Sequence, residues 1–144
     1  TFWKRTSPPP SMAAFNAPTR EQCTVRRERT NTPLQALVLM NDPQFVEAAR
    51  NLAERTLLHS TENRQRMSWI LQIALSRPSS EKDAIELLGT LSEIRRVFEQ
   101  KAESAQALIA IGDTVADKAL NPVELAAWTL IANTIMNRDD FINK

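Results

Sequence analysis

The sequence predicts an all-α fold, a helical bundle of about five to six helices with an irregular, proline-rich N-terminal arm packed on it. Three observations predict it. Only two of the 144 residues are glycine, which leaves few positive-φ positions for hairpins, bulges or phosphate-cradling loops. From Thr32 onward Ala, Leu, Glu, Arg and Gln dominate, and these residues lose little on entering a helix. Apolar positions in that part recur at three- and four-residue spacing, the period of a helix with one buried face. A chain of this length forms one domain with a single core. It is expected to divide into an arm over 1–31 and a helical domain over 32–144.

The arm contains "TSPPPSM", where Pro8, Pro9 and Pro10 favour an extended polyproline conformation. Phe2, Trp3 and Phe15 flank this run and are placed to pin it to the helical body. The alternative is a free proline-rich ligand for a small recognition domain.

The first helix is expected to start at Thr32. Thr32-Pro33-Leu34-Gln35 fits a capping box, with Pro33 at the position where a missing N–H costs nothing. "LQALVLM" is apolar on nearly every side except Gln35, which predicts a buried helix with Gln35 as its polar position. Asp42-Pro43 forces a break after Asn41 and caps the next helix. That helix has an inward stripe of Phe45, Ala48, Ala49, Leu52 and Leu57. Glu47, Arg50 and Glu54 form its expected outer face, at the spacing of supportive surface ion pairs.

A third helix is expected over 62–76, with Met67, Ile70, Leu71, Ala74 and Leu75 on one side. After "RPSS", the cap signature Ser80-Glu81-Lys82-Asp83 opens a long helix with the stripe Ala84, Leu87, Leu88, Leu91, Ile94 and Phe98. A further helix through "AESAQALIAI" is expected to stop at Gly112. Asn121-Pro122 caps the last, "ELAAWTLIANTIM", whose nearly all-round apolarity makes it the central core helix, ending near Asn137. "LMNDPQF" and "IMNRDDF" echo each other, and a shared capping solution explains them better than a repeat.

Charge is unevenly spread. Lys4, Arg5, Arg20, Arg26, Arg27 and Arg29 stand against Glu21 and Glu28 in the first 32 residues, so the remainder is mildly acidic. The leader is too short and too mixed in sign to point to nucleic acid. Arg20, Arg26, Arg27 and Arg29 are the candidate ligand-binding residues, because guanidinium forks grip carboxylate, sulfate or phosphate. The alternative is a clamp between the arm and the acidic body, or between this domain and a neighbour.

Other chemistry is sparse. His59 reads as a residue near a helix C-terminus, and no metal site is expected. Cys23 is the single cysteine and, with no histidine base identifiable, reads as an incidental thiol. Asp42, Asp139 and Asp140 are the best carboxylates for acid–base work, yet Asp42 already has a capping role. No catalytic residue is assigned, no run reaches the ~20 apolar residues of a membrane span, and the absence of a Met at Thr1 reads as a piece of a longer protein.

"REQCTVRRERTNTPLQALVLMNDPQFVEAARNLAER" resembles the signature of a planctomycete-specific domain of unknown function. That domain lies at the C-terminus of large planctomycetal proteins, often behind cytochrome-c-like modules. "FWKRTSPPPSMAAFNAPTREQC", "ALSRPSSEKD" and "ELAAWTLIANTIMNRDDFI" are similar to the same family, so the resemblance covers nearly the whole chain. Its most specific block contains Thr32, Pro33 and Gln35, and Asn41, Asp42 and Pro43 follow. The family pattern has Asp where this chain has Asn16. The resemblance implies an extracytoplasmic protein, with any haem in upstream domains and no cofactor in this chain. It supplies no catalytic residue.

The leading functional expectation is a non-catalytic interaction or architectural module whose partners are other domains of the same polypeptide. The rival is a component that binds or processes anionic, sulfated polysaccharide through the arginines. A third reading is an electron-transfer partner of an upstream cytochrome-c-like module.

Overall fold

The computed structural model describes residues 9–18, 23–26, 30 and 32–142. Among them are eight helices and no strand: α1 (Pro10–Ala14), α2 (Pro33–Asn41), α3 (Pro43–His59), α4 (Asn63–Leu75), α5 (Glu81–Gln100), α6 (Ala102–Ile109), α7 (Pro122–Met136) and α8 (Asp139–Ile142). The chain is all-α, and α1 and α8 are single turns added to six longer helices.

Helix α7 is the axis of the bundle. Leu125, Ala126, Ala127, Trp128, Ile131, Ala132 and Ile135 are all fully buried, as a helix apolar on every side must be. Its most extensive contact is with α3, and α5 and α6 also pack along it. Ala49 and Ala53 of α3 are buried in the same core as Ala126, Ala127 and Ala132, and such small side chains let helix axes approach closely. Met67, Ile70 and Leu71 of α4 and Leu91 of α5 complete the buried interior.

Helix boundaries follow local chemistry. Thr32 and Gln35 form the capping box at α2, Asp42 ends α2 and accepts the Gln44 amide to cap α3, and Asn121 accepts the Val123 and Glu124 amides to cap α7. Ser76 ends α4 in left-handed geometry, at φ 54°. Three expectations are corrected. Ser80 precedes α5 but makes no side-chain cap. α6 ends at Ile109, and Gly112 (φ +108°) lies beyond it in the connection to α7. The arm is not extended through all three prolines: Pro9 has polyproline-like backbone, while Pro10 starts α1 at the helical position that tolerates proline.

The arm is fastened by Phe15, whose ring lies 6.2 Å from that of Phe45. No helix among the described residues is long and apolar enough to cross a membrane.

Candidate functional site

The block Thr32–Pro33–Leu34–Gln35 builds a latch around one buried amide. Gln35 is 2% exposed. Its Oε1 accepts the Thr32 amide at 3.0 Å, and its Nε2 donates to the Ala14 carbonyl at 2.8 Å and to Thr30 Oγ1 at 2.9 Å. Asn16 Nδ2 also donates to Thr30 Oγ1, at 2.8 Å. Asn16 sits at φ 51°, a left-handed conformation that Asn tolerates better than most residues. One glutamine therefore caps α2 and holds the arm to it.

The other end of α2 is fixed from α7. The Leu39 carbonyl would ordinarily accept from the amide of the residue four positions on, but Pro43 has no N–H. Asn133 Nδ2 fills that role, reaching the Leu39 carbonyl at 3.1 Å, and Asn137 Nδ2 reaches the Ala36 carbonyl at 3.1 Å. Asn41 donates within its own helix, to the Leu37 carbonyl.

These polar ties turn α2 the opposite way from the sequence expectation. Gln35 points inward and Leu39 anchors the helix in the interior. Leu34, Leu37 and Met40 face outward, 58%, 57% and 53% exposed. The expectation of a buried helix failed because hydrogen bonds, rather than apolar area, set its orientation. The result is a displayed apolar ridge, and the only charge from Thr32 to Val46 is Asp42, which is engaged as a cap.

α3 departs from expectation in the same sense. Arg50, assigned to an outer face, is 1% exposed. Its Nη1 donates to the Ile109 carbonyl at 2.7 Å, and its Nη2 donates to the carbonyl and hydroxyl oxygens of Thr114 at 2.8 and 2.5 Å. Glu47 accepts the amides of Asp113 and Thr114 and the Thr114 hydroxyl, and Glu54 accepts the amide of Asp117. Ala48, expected inside, is exposed, and Val46, Ala53 and Thr56 are buried instead.

The remaining candidates are occupied structurally or exposed singly. Asp140 pairs with Arg77 at 2.7 Å and with Arg138 at 3.0 Å, and Asp83 joins the same cluster. The Arg77 hydrogen bond holds the Asp140 carboxyl below the usual carboxylate range, with Arg138 adding to the effect, so it does not serve as a proton donor near neutrality. His59, the last residue of α3, stacks on Trp69 with ring centroids 4.8 Å apart. Cys23 and Arg26 are exposed. Arg20, Arg27 and Arg29 lie outside the described residues. No group of three or more His, Cys, Asp or Glu side chains among the described residues is arranged to hold a metal ion. The sole histidine of the sequence is stacked on Trp69, and the sequence has no Cys-x-x-Cys-His motif.

Two shallow clefts accompany these features, about 250 Å³ between α4 and α5 and about 350 Å³ beside the start of α7. Arg64 pairs with Glu81 in the first and Arg95 with Glu124 in the second, each at 2.6 Å, and Glu99 also lines the second.

A family model described as PSD1, a protein of unknown function (DUF1553), matches residues 1–91. The chain belongs to this family. The matched residues contain the arm, α1 to α4 and the first half of α5, and with them the Gln35 latch, the α2 ridge and the α3 charges. The partners that complete both arrangements, Asn133 and Asn137 for α2 and Thr114 for α3, lie beyond the match. No curated protein and no solved structure matches the chain.

Sequence reasoning missed Arg50 and the two asparagines. Asn133 and Asn137 carried a usable signal, since two asparagines four apart lie on one face of a helix otherwise rich in apolar residues. Arg50 carried none, because its partners are about sixty residues away, at the end of α6 and in the connection that follows it.

Proposed function

We propose that this domain is a non-catalytic interaction and architectural module of a large, secreted planctomycetal protein, packing through the outer face of α2 against other domains of its own polypeptide. The observation that carries the reading is the orientation of α2. Polar ties at both ends hold the helix with Leu34, Leu37 and Met40 outward, and within residues 32–46 Asp42 is the only charged residue. Charge depletion around exposed apolar side chains is the composition of an interface core. The family resemblance supports an extracytoplasmic setting, with any haem carried by an upstream cytochrome-c-like module. Engagement of Asp42, Asp83 and Asp140 as a cap and in ion pairs supports a role without acid–base chemistry.

The test is Leu37→Asp, compared by thermal unfolding in the isolated domain and in the longer polypeptide. In the isolated domain the change is expected to be near neutral, within about 0.5 kcal/mol, as for exposed positions generally. In the longer polypeptide it is expected to lower the domain's unfolding temperature by several degrees. Equal effects in the two settings would remove the basis of the proposal.

A second reading rests on the exposed Arg26 guanidinium, which is of the type that grips sulfate or carboxylate groups on an anionic polysaccharide.

A further inference from the structure

Residues 110–120 connect α6 to α7 without regular structure. A connection of this length is stable only if its backbone groups find partners elsewhere. Among the described residues, every hydrogen bond from this segment to a helix it does not directly join goes to Glu47, Arg50 or Glu54 of α3. Its apolar anchoring is slight: Ala116 and Leu120 are half-buried against the core, while Val115 is 81% exposed. Gly112 is required at the crossing, because its φ is +108° and an added Cβ would lie 2.6 Å from the Glu47 carboxyl carbon.

The fastening is an unusual one. The guanidinium of Arg50 is buried, and among the described residues its hydrogen bonds go only to the Ile109 carbonyl and to Thr114. Its Nε–H has no hydrogen-bond acceptor, since the nearest Glu54 oxygen stands 3.8 Å away. A buried charge held this way loses its hydration on closing and regains it on opening, so the energy of the visible contacts is largely offset. A segment with few apolar contacts and bonds that water can replace opens locally long before the core does.

We propose that residues 110–120 are a strap that opens as a unit from an intact bundle, with Arg50, flanked by Glu47 and Glu54, as its latch. Opening exposes the guanidinium and the core surface beneath Ala116 and Leu120. The closed and open forms differ in the solvation of one charge triad, while α3 and α7 stay packed.

Native-state hydrogen exchange of the 144-residue chain, read by NMR at single amides, tests this. The amides of Asp113, Thr114 and Asp117 are expected to exchange at least tenfold faster than those of Thr129, Ile131 and Ala132 in α7. Thr114→Val removes the hydroxyl that touches both Glu47 and Arg50 and is expected to speed exchange at Asp113 and Asp117 about tenfold, the loss of roughly one charge-assisted hydrogen bond. Exchange in α7 should not change. Glu54→Gln gives an independent version, with a selective rise at Asp117. Strap amides as slow as those of α7, no selective rise in either variant, or strap and core amides accelerating together would each overturn the proposal.

Discussion

Glu47 shows how one side chain ties distant parts of the chain into a pH-dependent contact. Its carboxyl is held below the usual carboxylate range, chiefly by the Thr114 hydroxyl, then by the amides of Thr114 and Asp113, and by the charge of Arg50. A carboxylate with a depressed folded-state pKa stabilises the fold above its unfolded value, about pH 4.3, and that stabilisation is lost as pH falls through the lower folded value. Denaturation midpoints measured from pH 7 down to pH 2 should therefore show an acid limb beginning near pH 4. Glu47→Gln should shrink that limb, leaving the part due to Asp140, which is depressed in the same direction. An unchanged limb would mean that Glu47 is not coupled to folding. None of this was legible in the sequence, where Glu47, Arg50 and Glu54 have the spacing of a solvated helix face. The helical period was right, but which face is covered was decided by a connection sixty residues later.

Among the helices, caps were the most legible feature and orientation the least. Thr32, Asp42 and Asn121 act within three residues of themselves, so their chemistry is contained in a short window. α2 has apolar residues on most sides, and periodicity then gives no direction to its buried face. The direction comes from Gln35, whose amide is the point where arm and helix meet. Gln35→Ala should cost about 2–3 kcal/mol, because it strands the Thr32 amide and the Ala14 carbonyl together. Urea denaturation would measure this, and a cost below about 0.5 kcal/mol would show that the latch does not hold the arm. The stripes of α4 and α5 were legible because each has one continuous apolar side, and Met67, Ile70, Leu71, Ala84, Leu87, Leu91 and Phe98 are buried as expected.

At the scale of the molecule, family membership and folding unit have different extents. The family match ends at residue 91, within α5, whereas the helix at the centre of the bundle is α7. The later residues satisfy polar groups of the earlier ones, through Asn133 and Asn137 at α2 and Thr114 at α3. The all-round apolarity of α7 made its central place legible from composition alone. What a single sequence could not contain is the proposed partner of the α2 ridge, since such a partner lies outside the bundle. Hydroxyl-radical footprinting addresses it directly, comparing oxidation of Leu34, Leu37 and Met40 in the isolated domain and in the longer polypeptide. Docking through α2 predicts that all three are labelled readily in the isolated domain and at least several-fold less in the longer protein. Equal labelling in both would contradict the account.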